Sequence, residues 1–266
     1  MAPILEIKGL SKNFGGLRAV VDFDLTLQEG DLAGLIGPNG AGKTTVFNLI
    51  TGVYPVTAGD ILFQGRSILG LEPYRITHLG IARTFQNIRP FPTLTVLDNV
   101  RIACHCHDGY STGEAIARSG RFAAREREMT RRARELLEVF NLLDRENEVA
   151  RNLPYGEQRR MEIARALAAR PRLLLLDEPA AGMNPSEVGS LMDLIRFVRE
   201  RFQLTILLIE HQMRVVMGIC EEITVMDFGQ VIARGRPQEI QSNPKVIEAY
   251  LGRGVATRMA SDAASG

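Results

Sequence analysis

Gly37-Pro38-Asn39-Gly40-Ala41-Gly42-Lys43-Thr44-Thr45 decides the reading of this chain. The stretch fits the spacing G-x-x-x-x-G-K-[ST] without a mismatch, and each residue type answers a physical demand. Successive backbone N–H groups must turn inward on β- and γ-phosphates, which bulky side chains would obstruct. Glycine permits both the positive φ angles and the close approach. Lys43 adds a charge for the phosphate oxygens, and the Thr44 hydroxyl suits Mg2+. Leu32-Ala33-Gly34-Leu35-Ile36 ahead of it predicts a buried strand. Val46-Phe47-Asn48-Leu49-Ile50 behind it predicts a helix whose positive end faces the same anion.

Further along, Leu173-Leu174-Leu175-Leu176-Asp177-Glu178 is an apolar run that ends in two carboxylates. A buried strand would carry Asp177 to the sheet edge beside the phosphate loop, where ligands bind in open α/β sheets. There Asp177 can hold Mg2+ directly or through water. Glu178, one residue beyond, reaches past the metal toward an attacking water as general base.

Bulk properties set the frame. The chain has 266 residues, enough for one large domain or a domain with an inserted lobe, and its net charge of +1 suggests no nucleic-acid partner. No basic segment followed by an apolar stretch opens the chain, so we expect no signal peptide. The longest apolar runs, 173–176 and 206–209, fall far short of the ~20 residues that span a bilayer. Any work at a membrane therefore needs another chain. Cys104, Cys106 and Cys220 have no disulfide-scaffold spacing and are expected as thiols. The run Cys104-His105-Cys106-His107 invites a metal reading. On a helix, however, its consecutive side chains point in different directions, and no second ligand pair stands elsewhere to close a tetrahedral site. The run reads as ordinary helix.

Strand candidates at 4–10, 32–36, 61–63, 81–85, 173–176, 205–209, 223–226 and 231–233 alternate with helical patterns, notably 185–201 and 213–220. This is the order of an α/β domain. Between Val96 and Asn147 strand-like runs vanish, and Ala133, Leu136, Leu137 and Phe140 recur at helical spacing. The segment predicts an inserted helical lobe. Its alternating charges from Arg121 to Arg134 read as a solvated helix face. Pro90 and Pro92, within residues 87–99, predict a shaped, non-helical contact loop ahead of that lobe. Asp227-Phe228-Gly229 falls where a hairpin turn is wanted.

Together these motifs resemble the ATP-binding subunit of an ABC transporter over nearly the whole length. Leu153-Pro154-Tyr155-Gly156-Glu157 stands in the place of that family's signature, commonly Leu-Ser-Gly-Gly-Gln. Leu153 and Gly156 match; Pro154, Tyr155 and Glu157 depart. The resemblance implies an α/β fold: a P-loop NTPase core of ABC type with a parallel sheet, an antiparallel N-terminal β-subdomain and an inserted α-helical subdomain. We expect boundaries at 1–95 and 166–252 for the core, 96–165 for the helical subdomain and 253–266 for a disordered tail. It implies ATP and Mg2+ as cofactors. The nucleotide is assigned to Phe14 on adenine and to Gly37, Pro38, Asn39, Gly40, Ala41, Gly42, Lys43, Thr44 and Thr45. Mg2+ is assigned to Thr44, Gln86 and Asp177, and catalysis to Glu178, His211 and Gln86. The signature segment would cap the ATP of a second ATPase subunit. Pro154 offers neither hydroxyl nor N–H, which would leave that contact to the Gly156 N–H and the helix dipole. Asn184 takes the place of the inter-subunit loop and also reads as a helix N-cap before Pro185.

The Tyr-Gly-Glu-Gln signature, Glu210-His211-Gln212-Met213 and the closing Ile247-Glu248-Ala249-Tyr250-Leu251-Gly252 are similar to the importers of branched-chain (hydrophobic) amino acids, and to the longer of their two ATPase subunits. The implied partners are a second ATPase subunit (a hetero- or homodimer), two transmembrane permease subunits and, indirectly, an extracytoplasmic solute-binding protein. The implied location is peripheral, at the cytoplasmic face of the inner (plasma) membrane. The rival readings are an ATPase for lipid or polysaccharide export and a non-hydrolytic, nucleotide-gated adaptor.

Overall fold

The structure, a computed structural model, describes residues 2–108, 112–117 and 120–251. The expected tail at 253–266, like Gly252, lies outside them. The described residues form two compact units, those within 2–73 and 175–251, and those within 74–174.

In the first unit, β1 (Leu5–Phe14) and β2 (Leu17–Leu27) form a hairpin, joined by β4 (Ala58–Phe63) and β5 (Arg66–Ser67) in an antiparallel sheet ordered β2-β1-β4-β5. The sequence reading did not place β2. Its apolar residues alternate, with Phe23, Leu25 and Leu27 buried and Asp22, Asp24 and Thr26 outside the core, so a one-faced strand presents no apolar run. β1 also runs further than expected, because pairing with β2 continues to Phe14 and Leu17.

The second sheet of this unit is built on β3 (Leu32–Ile36), β7 (Leu173–Asp177), β8 (Thr205–Ile209), β9 (Glu222–Asp227) and β10 (Gln230–Gly235), in the order β10-β9-β3-β8-β7. Every residue of β3, β7 and β8 is buried, as expected of parallel strands covered on both faces. Parallel register pairs Leu35 with Ile209 and Ile36 with Val225. The Glu178 N–H donates to the Ile209 carbonyl (2.9 Å), so β7 and β8 end together. Three chain segments therefore leave the same sheet edge side by side: Gly37 onward, Glu178 onward and Glu210 onward. β9 and β10 meet at Phe228 (φ 44°) and Gly229 (φ 80°), the two successive positive φ values of a tight hairpin turn. The helices of this unit are α1 (Lys43–Ile50), α7 (Pro185–Phe202), α8 (Met213–Ile219), α9 (Pro237–Gln241) and α10 (Pro244–Leu251).

The second unit holds α2 (Pro73–Leu79, from Tyr74 onward), β6 (Ile81–Arg83), α3 (Val96–Asp108), α4 (Thr112–Ala117), α5 (Gly120–Val139) and α6 (Tyr155–Ala168). β6 is shorter than the strand read at 81–85. The Gly80 carbonyl ahead of it accepts the N–H groups of Arg172 (2.8 Å) and Leu173 (3.0 Å). Helices α3, α5 and α6 pack on one another, and Val100, Cys104, Met129, Ala133, Leu137, Met161 and Ile163 on them are buried. Ala133, Leu136, Leu137 and Phe140 are all buried, as their spacing predicts. The charged face of α5 stays exposed, with Arg131 paired to Glu128 and Glu135, and Arg134 to Glu146. The non-helical loop ends at Thr95 rather than Asn99. Thr95 Oγ1 accepts the Asp98 N–H (3.0 Å), a side-chain cap that starts α3 at Val96.

Candidate nucleotide site

The phosphate loop joins β3 to α1 as the spacing predicts. Glycine is required at two of its positions. A Cβ on Gly42 (φ 103°) would lie 2.5 Å from the Ala19 carbonyl oxygen, and one on Gly37 2.1 Å from that of Met226. Gly42 is the N-cap of α1 and supplies no side-chain cap, so the first-turn N–H groups can serve an anion. Lys43 is buried, and its ammonium donates to the carbonyls of Gly37 (2.7 Å) and Pro38 (2.9 Å). Exchanging either for a phosphate oxygen trades a neutral acceptor for a charged one. Burial pushes the Lys43 pKa down, while the carboxylates of Glu178 and Asp177 pull it back up. The lysine and both acids therefore share one field.

Asp177 closes β7 and is 3% exposed, whereas the Glu178 side chain reaches solvent. Glu178 holds a left-handed backbone (φ 45°), which costs a residue with a Cβ about 1–3 kcal/mol. His211 Nδ1 stands 3.5 Å from Glu178 Oε2 and 3.9 Å from Glu210 Oε2. Glu210 itself is fully buried and fastens the two loops together. Its Oε1 accepts the Ala180 N–H (2.8 Å), and its Oε2 accepts those of His211 (3.0 Å) and Gln212 (3.1 Å). The Gln212 amide returns a bond to the Ala180 carbonyl (3.0 Å). The Glu178–His211 spacing is thus held by a buried carboxylate that sequence reading had treated only as a neighbour of the histidine. The available signal was a charged residue directly after the apolar run Ile206–Ile209 of a fully buried strand.

Asn184 caps α7. Its Oδ1 accepts from the Ser186 and Glu187 N–H groups (3.0 Å each), and Glu187 accepts from the Asn184 N–H (2.8 Å), with Pro185 at the first turn. Phe14 is exposed at the hairpin tip rather than in a core, with Tyr54 edge-on at 5.2 Å and Lys12 Nζ 4.9 Å from its ring centre. Its exposure leaves the ring within reach of a stacking partner. Thr44, Asn39 and Gly40 are exposed, and Thr45 and Pro38 partly so. Burial pushes the phenol of Tyr250, on α10, up, and the Gly37 backbone beside it pulls it part of the way back. This neighbour of the loop was also absent from the sequence reading, where Tyr250 counted only as part of a closing motif.

In the second unit, Pro154 is the N-cap of α6, and its carbonyl accepts the N–H groups of Glu157 (3.0 Å) and Gln158 (2.9 Å). Tyr155 and Pro154 are exposed, Gly156 is partly so, and Leu153 is buried. Glu157 pairs with Arg145 (2.8 Å). One turn further on, Arg159 is wholly buried and ties this helix to the exposed Gln86. Its guanidinium donates to the carbonyls of Phe85 and Gln86 (2.8 Å each) and to Glu162 (2.7 Å), and Glu162 accepts the Phe85 N–H (3.2 Å). Burial raises the Glu162 carboxyl despite Arg159 beside it.

A glycine cradle with a buried lysine, an acid at the strand edge and a carboxylate–imidazole pair can bind a nucleoside triphosphate and direct water at its terminal phosphate. The comparisons agree. The family profile described as ABC transporter matches residues 20–181, and one described as branched-chain amino acid ATP-binding cassette transporter matches residues 230–256. The high-affinity branched-chain amino acid transport ATP-binding protein BraF of Pseudomonas aeruginosa is 46% identical over 250 residues, covering 94% of this chain and 98% of that protein. The corresponding protein LivG of Escherichia coli K12 is 45% identical over the same shares. The crystal structure of the ADP conformation of MJ1267, an ATP-binding cassette of an ABC transporter, superposes with a TM-score of 0.83 at 33% identity, covering 95% of this chain and 100% of that one. The chain belongs to the ABC transporter family, as an ABC-type ATPase. Among its described residues, no helix is long and apolar enough to cross a membrane.

Proposed function

We propose that this chain is the ATP-hydrolysing subunit of an importer for branched-chain amino acids. The observation that supports hydrolysis over passive binding is the Glu178–His211 pair, 3.5 Å apart and braced by Glu210. The solute is supported by the naming of the relatives at 45–46% identity and by the match at residues 230–256.

In this reading Phe14 stacks on the adenine, while the backbone from Gly37 to Thr45 and the Lys43 ammonium hold the phosphates. Thr44 and Asp177 would hold Mg2+, with Gln86 given the same ion and the attacking water by resemblance; the ion would neutralise the phosphate oxygens. Glu178 takes a proton from water, and His211 steadies the γ-phosphate. The signature segment 153–157 and Asn184 serve the nucleotide of a second ATPase subunit. Closure of the pair would drive two permease subunits at the cytoplasmic face of the membrane, fed by a solute-binding protein.

Uptake of labelled leucine in cells lacking this chain tests the proposal. We expect uptake to be lost, restored by the wild type and not by Glu178→Gln. Equal rescue by both proteins would refute hydrolysis through Glu178. Unchanged uptake in a strain with no second leucine importer would refute the solute and direct the search to other cargo, exported lipids included.

A further inference from the structure

The fold supplies what the run Cys104-His105-Cys106-His107 lacks in sequence. His78, at the end of α2, meets Cys106 and His107 in the last turn of α3, and one candidate ligand atom from each lies within 4.8 Å of the others. The two imidazoles stack with ring centres 4.8 Å apart. We propose that His78, Cys106 and His107 form a binding site for a borderline divalent cation of the zinc class, separate from the nucleotide site.

Hydrogen bonding prepares both rings. His78 Nδ1 lies 2.9 Å from the Cys106 carbonyl, and His107 Nε2 lies 2.9 Å from the Ala169 carbonyl. A carbonyl oxygen only accepts, so these nitrogens carry the protons. In the neutral rings His78 Nε2 and His107 Nδ1 then hold lone pairs. An imidazole that donates one N–H to a backbone carbonyl while offering its other nitrogen is the usual outer-shell arrangement of a metal-binding histidine. The third donor is accessible too: Cys106 is half-buried, whereas Cys104 and Cys220 are buried in the core.

The donor set selects the ion. Two imidazoles and a thiolate suit zinc and its neighbours, and no carboxylate is in the group to attract magnesium or calcium. Three protein ligands leave a fourth tetrahedral position for water. Bond lengths of about 2.0–2.3 Å require the donors to draw together by roughly 1 Å, within reach of side-chain rotation at these exposed and half-exposed positions. Binding would clamp the end of α2 to the end of α3 across 28 residues of chain.

Cobalt substitution tests this on untagged, full-length protein kept reduced, with Mg2+ in excess. We expect one equivalent of Co2+ to give a thiolate-to-cobalt charge-transfer band and tetrahedral d–d absorption, both bleached by one equivalent of Zn2+. Cys106→Ser should abolish the charge-transfer band, and His78→Ala should weaken Zn2+ binding about 100-fold. Cys104→Ser should leave both unchanged. Zn2+ should raise the unfolding temperature of the wild type and not of the Cys106 or His78 variants. Absence of the charge-transfer band in the wild type, or its survival in Cys106→Ser, would overturn the proposal. So would unchanged affinity in His78→Ala, since it would mark adventitious binding at the exposed run.

Discussion

Glu210→Gln isolates the brace from the chemistry it supports. The buried carboxylate accepts N–H groups on both oxygens: Ala180 on one, His211 and Gln212 on the other. A glutamine has the same shape but one acceptor end. In its better orientation the amide oxygen faces His211 and Gln212, and the NH2 group opposes the Ala180 N–H. One charge-assisted bond, worth about 1.5–3 kcal/mol, is then lost, and two donors confront each other. The segment bearing Ala180 must shift, and Glu178 shifts with it, because its carbonyl accepts the Ala181 N–H (3.1 Å). Misplacement of a reacting group by about 1 Å lowers turnover on the order of 100-fold. We therefore expect kcat for phosphate release by the assembled transporter to fall about 10- to 100-fold, with stability lower by about 2–3 kcal/mol. ATP affinity should hold, since Lys43 and the phosphate loop make none of these contacts. A folded variant with kcat within twofold of the wild type would refute the brace. A parallel loss of ATP affinity would place the defect in the cradle instead.

Four further outcomes are expected. Glu178→Gln should lower kcat about 10²–10⁴-fold and retain ATP in a closed dimer, read by phosphate release and by sedimentation with nucleotide. Gly42→Ala should abolish nucleotide binding, read by equilibrium titration, because the new methyl group meets the Ala19 carbonyl at 2.5 Å on a backbone at φ 103°. Tyr250→Phe, which removes the phenol beside the Gly37 backbone, should weaken ATP binding about fivefold, with kcat unchanged at saturation. Glu162 gives a pH signature. Its folded pKa lies above the ordinary 4.5, so between the two values the folded chain binds more protons than the unfolded one. Its contribution is fully present below 4.5 and lost as pH rises through the raised value; denaturant titrations across this window should show that slope in the wild type and not in Glu162→Gln.

Legibility in the sequence followed the range of the physics. The phosphate loop was readable because its demands are local: positive φ, close backbone approach and a lysine at fixed spacing. Asp177 and Glu178 were readable because a fully buried parallel strand leaves a continuous apolar run that the acids terminate. β2 escaped because a strand with one wet face alternates, and its mid-strand Asp22 takes a positive φ (49°). Glu210 and Tyr250 escaped for a different reason. Their partners are backbone groups distant in sequence, and backbone groups carry no residue identity for a sequence pattern to register. The meeting of His78 with the run at 104–107 was not legible, since His78 comes from another helix.

The Arg159–Glu162 clamp has a consequence for how this protein can change over generations. Its grip on residues 85 and 86 is entirely on main-chain atoms. The clamp therefore holds that segment whatever side chains stand there, and position 86 is left to be selected for its own chemistry. The two clamp residues have no such latitude. Loss of Glu162 alone strands Arg159 as a buried charge without its carboxylate, at a cost of about 3–5 kcal/mol. Loss of Arg159 alone releases the carbonyls of Phe85 and Gln86 and leaves Glu162 to Arg165, 4.0 Å away. Replacement by an apolar pair must accordingly occur at both positions in one lineage before either change is tolerable, which makes 159 and 162 a slow, jointly inherited unit beneath a more freely varying surface.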